Sequence, residues 1–323
     1  MPKQLLFCFS ALLISVAILG GEALTLRSTG SFDLASKLPR EYAGLTVTHA
    51  FRTTPTSLYF LISPPQTLQP PQMILKTDLS GAGKSFLPLV KPVSPGWFDL
   101  DEAGNLYFWK QMASGCEVYK YNSQGLLVDT IVSKQPLIRI GLIENTLLGV
   151  TPAGEIFDIR TAKKLTEPAN LGPPGFSGNL LVLSPKRAVA VNANTTTMSV
   201  LDIPSGKMSS RQITHEIISE SWKTYKTDPD SAAIFSDFTT DRQGTMIFNL
   251  SGHPYSGGAV LLMADSNGTV FRDLRCPLPK FDQLRRSGNP EGHMFSGLIG
   301  LQNGKIFVVD RNGYVTSCEL SQP

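Results

Sequence analysis

The sequence predicts an all-β fold, and three observations carry that prediction. No segment keeps a 3.6-residue apolar rhythm over four turns. Short runs rich in Val, Ile, Phe, Tyr and Leu recur instead, punctuated by Gly, Asn, Asp and Pro turns. With 28 Gly and 23 Pro in 323 residues, turn chemistry is everywhere and long helices have little room.

The chain opens with Met-Pro-Lys and an apolar run over 5–19, broken only by Ser10 and Ser15, then Gly20-Gly21-Glu22-Ala23. A basic start, a short apolar stretch and a small-x-small ending predict a signal peptide over 1–23, cleaved after Ala23. The run is shorter than the ~20 apolar residues of a spanning helix. The expected mature protein is therefore 24–323, a single domain, secreted or periplasmic, with no stable membrane insertion. Cys8 leaves with the peptide.

A hydrophobic fraction of 41% and a charged fraction of 17% describe a chain able to build a packed core. The formal charge of +3 comes from scattered basic residues, Arg285-Arg286 being the densest pair, which excludes a nucleic-acid surface.

The clearest repeat unit lies in 96–132. Trp97-Phe98-Asp99-Leu100 runs into a Glu102-Ala103-Gly104 turn, then Asn105-Leu106-Tyr107-Phe108-Trp109. Cys116 to Tyr121 follow, then a Ser123-Gln124-Gly125 turn and a last run to Val132. Four strands joined by turns form a meander, the unit of a propeller blade. Comparable units occupy 45–89 and 234–276, thinner copies occupy 137–167 and 178–213, and 297–320 repeats only the first three strands. First strands thus begin near Leu45, Gly96, Leu137, Gly178, Ile234 and Leu298, at intervals that straddle the roughly 40–50-residue period of propeller blades. The prediction is a six-bladed β-propeller with four-stranded antiparallel blades. The fourth strand missing from the last blade is expected from the N-terminus, as 24–27 or 31–34, closing the ring.

The stretch Asp99-Leu-Asp-Glu-Ala-Gly104-Asn105-Leu106-Tyr107-Phe108, followed by Val118-Tyr-Lys-Tyr-Asn-Ser-Gln-Gly125, resembles the repeat of the NHL class of six-bladed propellers. That resemblance implies architecture. The class includes interaction modules, lyases and lactone hydrolases, so it implies no single activity.

Alternating strand direction sends the turns between strands one and two, and three and four, to one face of the disc. These are short. The connections expected on the opposite face are long: 63–72, 91–95, 110–115, 168–177, 214–233, 252–258 and 279–294. Long loops in compact domains concentrate binding residues. On or beside them fall Trp97, His215, Trp222, Tyr225, His253, Tyr255 and His293, a candidate rim for gripping a partner. The alternative is that each Trp plugs a crevice between blades and each His is solvated.

Near-motifs fail on specific residues. His215-Glu216-Ile-Ile-Ser219 lacks the second histidine of a zinc-protease helix. Gly81-Ala-Gly83-Lys84-Ser85 has Asp78 where a phosphate loop needs glycine. The stretch 99–110 puts Ala103 and Lys110 at calcium-ligand positions. Asn194, Asn249 and Asn267 fit the N-glycosylation acceptor pattern. The mature chain keeps Cys116, Cys276 and Cys318. By strand direction, Cys276 ends a fourth strand on the long-loop face and Cys318 sits late in a third strand toward the short-turn face, so a bridge between them is not expected.

Two functions follow. One is a secreted or periplasmic binding module that holds a protein, peptide or carbohydrate on the long-loop face and needs no cofactor. The other is a metal-dependent hydrolase of the lactonase sort, or a lyase, with a divalent cation in the channel. Its ligands would come from distant blades, where spacing carries no signal, so channel metal and catalytic residues stay open.

Overall fold

The computed structural model describes residues 24–42, 50–62, 72–93, 98–143, 146–166, 179–183, 186–192, 195–219, 234–240, 244–250, 258–278, 298–302, 304–309 and 313–319. Six small sheets form the predicted six-bladed propeller. The first blade is β3 (Phe51–Thr53), β4 (Ser57–Ile62), β5 (Met73–Asp78) and β6 (Lys84–Pro88). The second is β7 (Asp99–Leu100), β8 (Leu106–Met112), β9 (Gly115–Tyr121) and β10 (Leu127–Ser133). The third is β11 (Arg139–Ile143), β12 (Thr146–Val150) and β13 (Ile156–Asp158). The fourth is β14 (Asn179–Leu183), β15 (Arg187–Asn192), β16 (Thr197–Asp202) and β17 (Lys207–Gln212). The fifth is β18 (Phe235–Thr240), β19 (Met246–Leu250), β20 (Gly258–Ala264) and β21 (Val270–Pro277), and the sixth β22 (Leu298–Gln302), β23 (Lys305–Val309) and β24 (Tyr314–Glu319).

Period-two side-chain alternation explains why these strands are apolar on both faces. In β4, Leu58, Phe60 and Ile62 pack toward the sixth blade, while Tyr59 and Leu61 pack toward the second. In β23, Ile306 and Val308 face the fifth blade, and Phe307 and Val309 the first. The buried hydrophobics accordingly separate into six clusters, one for each junction between neighbouring blades. No blade has a core of its own, so the ring is the cooperative unit.

The tight turns share one chemistry. Asp101, Asn122 and Asp265 each begin a turn whose glycine three residues on (Gly104, Gly125, Gly268) has positive φ and donates its N–H to the first residue's carbonyl. Each first side chain also accepts the N–H four residues ahead, at 2.8–2.9 Å. This is a type I turn with a left-handed closing residue, which suits short hairpin loops.

The N-terminus closes the ring as expected, and does more. β2 (Arg27–Asp33) pairs antiparallel with β24 as the outermost strand of the sixth blade. Just before it, β1 (Leu24–Thr25) pairs in parallel with β21, giving the fifth blade a fifth strand. Among the described residues the third blade shows three strands, with a bridge from Phe157 to Lys164 where a fourth would run. Blades are therefore not uniformly four-stranded. The expected long connection over 110–115 is also corrected: β8 continues through Met112, β9 starts at Gly115, and their pairing runs to the Met112–Gly115 end of the hairpin.

The largest correction concerns the cysteines. Cys276 on β21 and Cys318 on β24 form a disulfide across the junction of the fifth and sixth blades, with Cα atoms 6.1 Å apart. Both are fully buried beside Leu26 and Leu274. Flat blades would hold these cysteines on opposite faces, but neighbouring strands turn by roughly 20–25° at each step. Over three steps the far end of an outer strand swings sideways toward the next blade. The N-terminal segment follows the same path: Leu26 donates its N–H to the Arg275 carbonyl at 2.8 Å, and Ser28 pairs with Cys318 two residues later.

Candidate functional site

The innermost strands line a central channel, and charge accumulates there. Arg52 on β3, Asp99 on β7, Arg139 on β11 and Asp237 on β18 come from the first, second, third and fifth blades. Their signs alternate in chain order. All four line one cavity of about 220 Å³, together with Thr53, Thr239 and Thr240 and the apolar Phe51, Phe238, Ile140 and Ile299. Each is mostly enclosed by protein and keeps limited solvent contact through the cavity.

The two acids tie blades together at the axis. The Asp99 Oδ2 atom accepts the N–H of Leu142 on the third blade's inner strand at 2.8 Å, and its Oδ1 accepts the N–H of Leu100 at 2.9 Å. Asp237 repeats the arrangement, its Oδ2 accepting the N–H of Ile299 on the sixth blade at 2.9 Å. Arg52 donates from Nη1 to the Phe51 carbonyl at 2.6 Å, and its guanidinium lies 5.7 Å from the centre of the Phe98 ring.

Burial disfavours every charge in this group, and opposite neighbours only partly compensate. Desolvation lowers Arg52 to about 10, against the attraction of Asp99 and Asp237. It carries Arg139 well below the ordinary guanidinium value, and the nearby Arg52 adds to the effect. Desolvation likewise raises Asp99, and it pushes Asp237 up to about 6 despite the hydrogen bond from Ile299 and the pull of Arg52.

Gly300 on β22 sets the channel's width between the sixth and first blades. A Cβ there would stand 2.6 Å from Phe51 Cε1 and 2.6 Å from Thr53 Cγ2, so only glycine lets the two inner strands approach this closely.

Oxygen donors converging without competing cations are what a divalent metal needs. Here two guanidinium groups share the wall with the two carboxylates, and these residues do not fit a divalent cation. Among the described residues no group of three His, Cys, Asp or Glu is arranged to hold a metal.

Of the rim residues expected from sequence, Trp97, Trp222, Tyr225, His253, Tyr255 and His293 lie outside the described residues. His215 is described. It precedes a helical turn at 216–219, and its Nε2 lies 3.0 Å from Asp273 Oδ1 on β21. Its Nδ1 lies 3.4 Å from the Ile217 N–H. It thus fastens the link between the fourth and fifth blades to an outer strand. Asn249, one of the three glycosylation patterns, is fully buried in β19.

Arg52, Arg139 and Asp237 carry no motif in the sequence, and Asp99 enters as part of the propeller-like repeat and of a failed calcium loop, never as a site residue. One signal was available: a charged residue inside an otherwise apolar inner strand, as in Leu-Ile-Arg139-Ile or Phe-Ser-Asp237-Phe.

The molecule is thus a six-bladed β-propeller with a polar channel. No family description matches the chain, and no curated protein matches it. Solved structures do share its fold. One is a Bacteroides thetaiotaomicron structural-genomics protein of unknown function: TM-score 0.54, 11% identity, covering 92% of this chain and 74% of that one. Another is a member of the DUF4221 family from Bacteroides vulgatus: TM-score 0.53, 10% identity, covering 91% and 97%. A third is virginiamycin B lyase from Staphylococcus aureus: TM-score 0.50, 12% identity, covering 90% and 98%. At these identities the likeness is one of fold. It is the architecture that the NHL-like repeat implied.

Proposed function

We propose that this protein is a secreted or periplasmic binding module that holds a protein, peptide or carbohydrate on one face of the propeller. The observation that carries this reading is the unequal length of its connections. On one face, strands are joined by tight turns such as 101–105, 122–126, 203–206 and 265–269. On the other side, the links 213–234 and 278–297 each run to roughly twenty residues and 167–178 to about twelve, at or beyond the upper end of ordinary loop length. The described strand ends that these links join lie on the side opposite the tight turns, and long connections carry recognition residues more often than the strands they join.

Export is supported by the N-terminal sequence and by a buried disulfide, which persists in oxidising compartments. Among the described residues no helix is long and apolar enough to cross a membrane. The channel, with its alternating arginines and aspartates, reads as a hub that joins blades rather than as a hydrolytic metal centre.

The test presents purified 24–323 to peptide and glycan arrays, with and without chelator, beside a lactone-hydrolysis assay. Saturable binding indifferent to chelation is the expected result. Stoichiometric metal with chelator-sensitive lactone turnover would contradict the reading.

A further inference from the structure

The channel cavity has a composition of its own, independent of what the outer face holds. It combines two guanidinium groups, two carboxylates and threonine hydroxyls in about 220 Å³, room for roughly seven water-sized groups. We infer that this cavity binds a small zwitterion, a free amino acid or a molecule of that size bearing one carboxylate and one ammonium group.

Charge balance argues for both signs in one ligand. The four side chains sum to zero when ionised, so a bare anion drawn by Arg52 and Arg139 meets Asp99 and Asp237 in the same wall. A bare cation meets the converse. A molecule carrying both charges replaces contacts within the site pairwise and leaves the enclosed region neutral, which matters where desolvation of each charge is costly.

The donor and acceptor geometry fits as well. Guanidinium groups offer planar forked donors that suit a carboxylate. A carboxylate has about four lone-pair sites. Asp99 fills part of that capacity with the N–H groups of Leu142 and Leu100, and Asp237 with those of Ile299 and Phe238, which leaves each able to receive an ammonium proton as well. The acids are held by backbone from adjacent blades, so the receptor geometry exists before the ligand arrives. Phe51, Phe238 and Ile140 give the remaining wall an apolar surface for a short side chain.

Isothermal titration calorimetry of purified, disulfide-intact 24–323 with glycine, L-alanine, L-serine, acetate and ethylamine tests this. One-to-one binding of at least one amino acid is expected, with acetate and ethylamine roughly tenfold weaker or more. Thr239→Phe, which puts a ring into the cavity, is expected to weaken that binding at least roughly tenfold while the protein stays folded. If Thr239→Phe fails to fold, Asp237→Asn serves: the preference for the amino acid over acetate should narrow to about twofold. No heat from any amino acid at about 10 mM would overturn the inference. So would acetate or ethylamine binding as tightly as the amino acids, an unaffected Thr239→Phe protein, or an unchanged preference in Asp237→Asn.

Discussion

The carboxylate of Asp99 accepts the backbone N–H of Leu142 at 2.8 Å, joining the inner strand of the second blade to that of the third. Asp237 makes the same contact with Ile299 between the fifth and sixth blades, at 2.9 Å. Apolar packing fills every junction, but it is non-directional. These two bonds fix the height at which neighbouring inner strands meet. Removing the acceptor strands a buried N–H, so Asp99→Ala should lower unfolding free energy by about 1–3 kcal/mol. Urea denaturation measures it, and an unchanged midpoint would count against the axial tie.

The raised value of Asp237 has a sign. Folding raises its pKa from 3.8 to about 6, so between those values the folded protein keeps a proton that the unfolded chain releases. The contribution of this group is fully present below about pH 4 and is lost as pH rises through 6. Asp99 is shifted in the same direction. Melting temperature should therefore fall less between pH 4 and 6.5 in Asp237→Asn than in the native protein. Asp78, held near 2 by hydrogen bonds from Ser80, Gly83 and Ala82, acts in the opposite sense. Its contribution is lost only as pH falls below the ordinary carboxylate range, so the two windows are separable.

The Cys276–Cys318 bridge closes a loop with a sequence separation of 42, for which chain entropy gives about 3–4 kcal/mol. Cys276→Ser and Cys318→Ser should each be destabilised by about that amount, whereas reductant should leave the melting temperature of either variant unchanged. Cys116 is buried, and burial pushes its thiol up to about 11. Oxidised 24–323 should therefore show one titratable thiol in denaturant and almost none when native. Three thiols in denaturant without reductant would refute the pairing.

Gly300 gives a steric prediction. The Cβ of Gly300→Ala would meet Phe51 and Thr53, both fixed in the first blade, and overpacking of this kind costs about 1–3 kcal/mol. Thermal unfolding reads it.

Deleting 24–34 removes β1 and β2 together with the buried Leu26 and Leu34, and it bares the edges of β21 and β24. A melting temperature lowered by several degrees and loss of monodispersity are expected. An unaltered melting temperature would rule out ring closure by this segment.

Local rules made the blades legible. Ser57–Ile62 reads as a strand buried on both faces, and Asp101-Glu-Ala-Gly104 reads as a turn, because both depend on neighbours in sequence. First strands expected near Leu45, Gly96, Leu137, Gly178, Ile234 and Leu298 begin, among the described residues, at Phe51, Asp99, Arg139, Asn179, Phe235 and Leu298. What depended on accumulated three-dimensional twist was not legible. The Cys276–Cys318 bridge required the outer strands to lean into the next blade, and 24–27, expected as a strand of the sixth blade, instead sends β1 to pair with β21 of the fifth. The channel charges were hidden differently: Arg52, Asp99, Arg139 and Asp237 are far apart in sequence and converge only because four inner strands share one axis.

The claim that recognition belongs to the long-loop side is tested most directly by altering each side in turn. One variant replaces 278–297 with a short Gly-Ser link, and the other replaces the turn 101–105 with Asn-Gly. Both are compared with native 24–323 on the same peptide and glycan arrays, after circular dichroism shows both folded. Loss of binding in the first variant alone is the predicted result. Equal loss in both, or loss only in the second, would contradict the account.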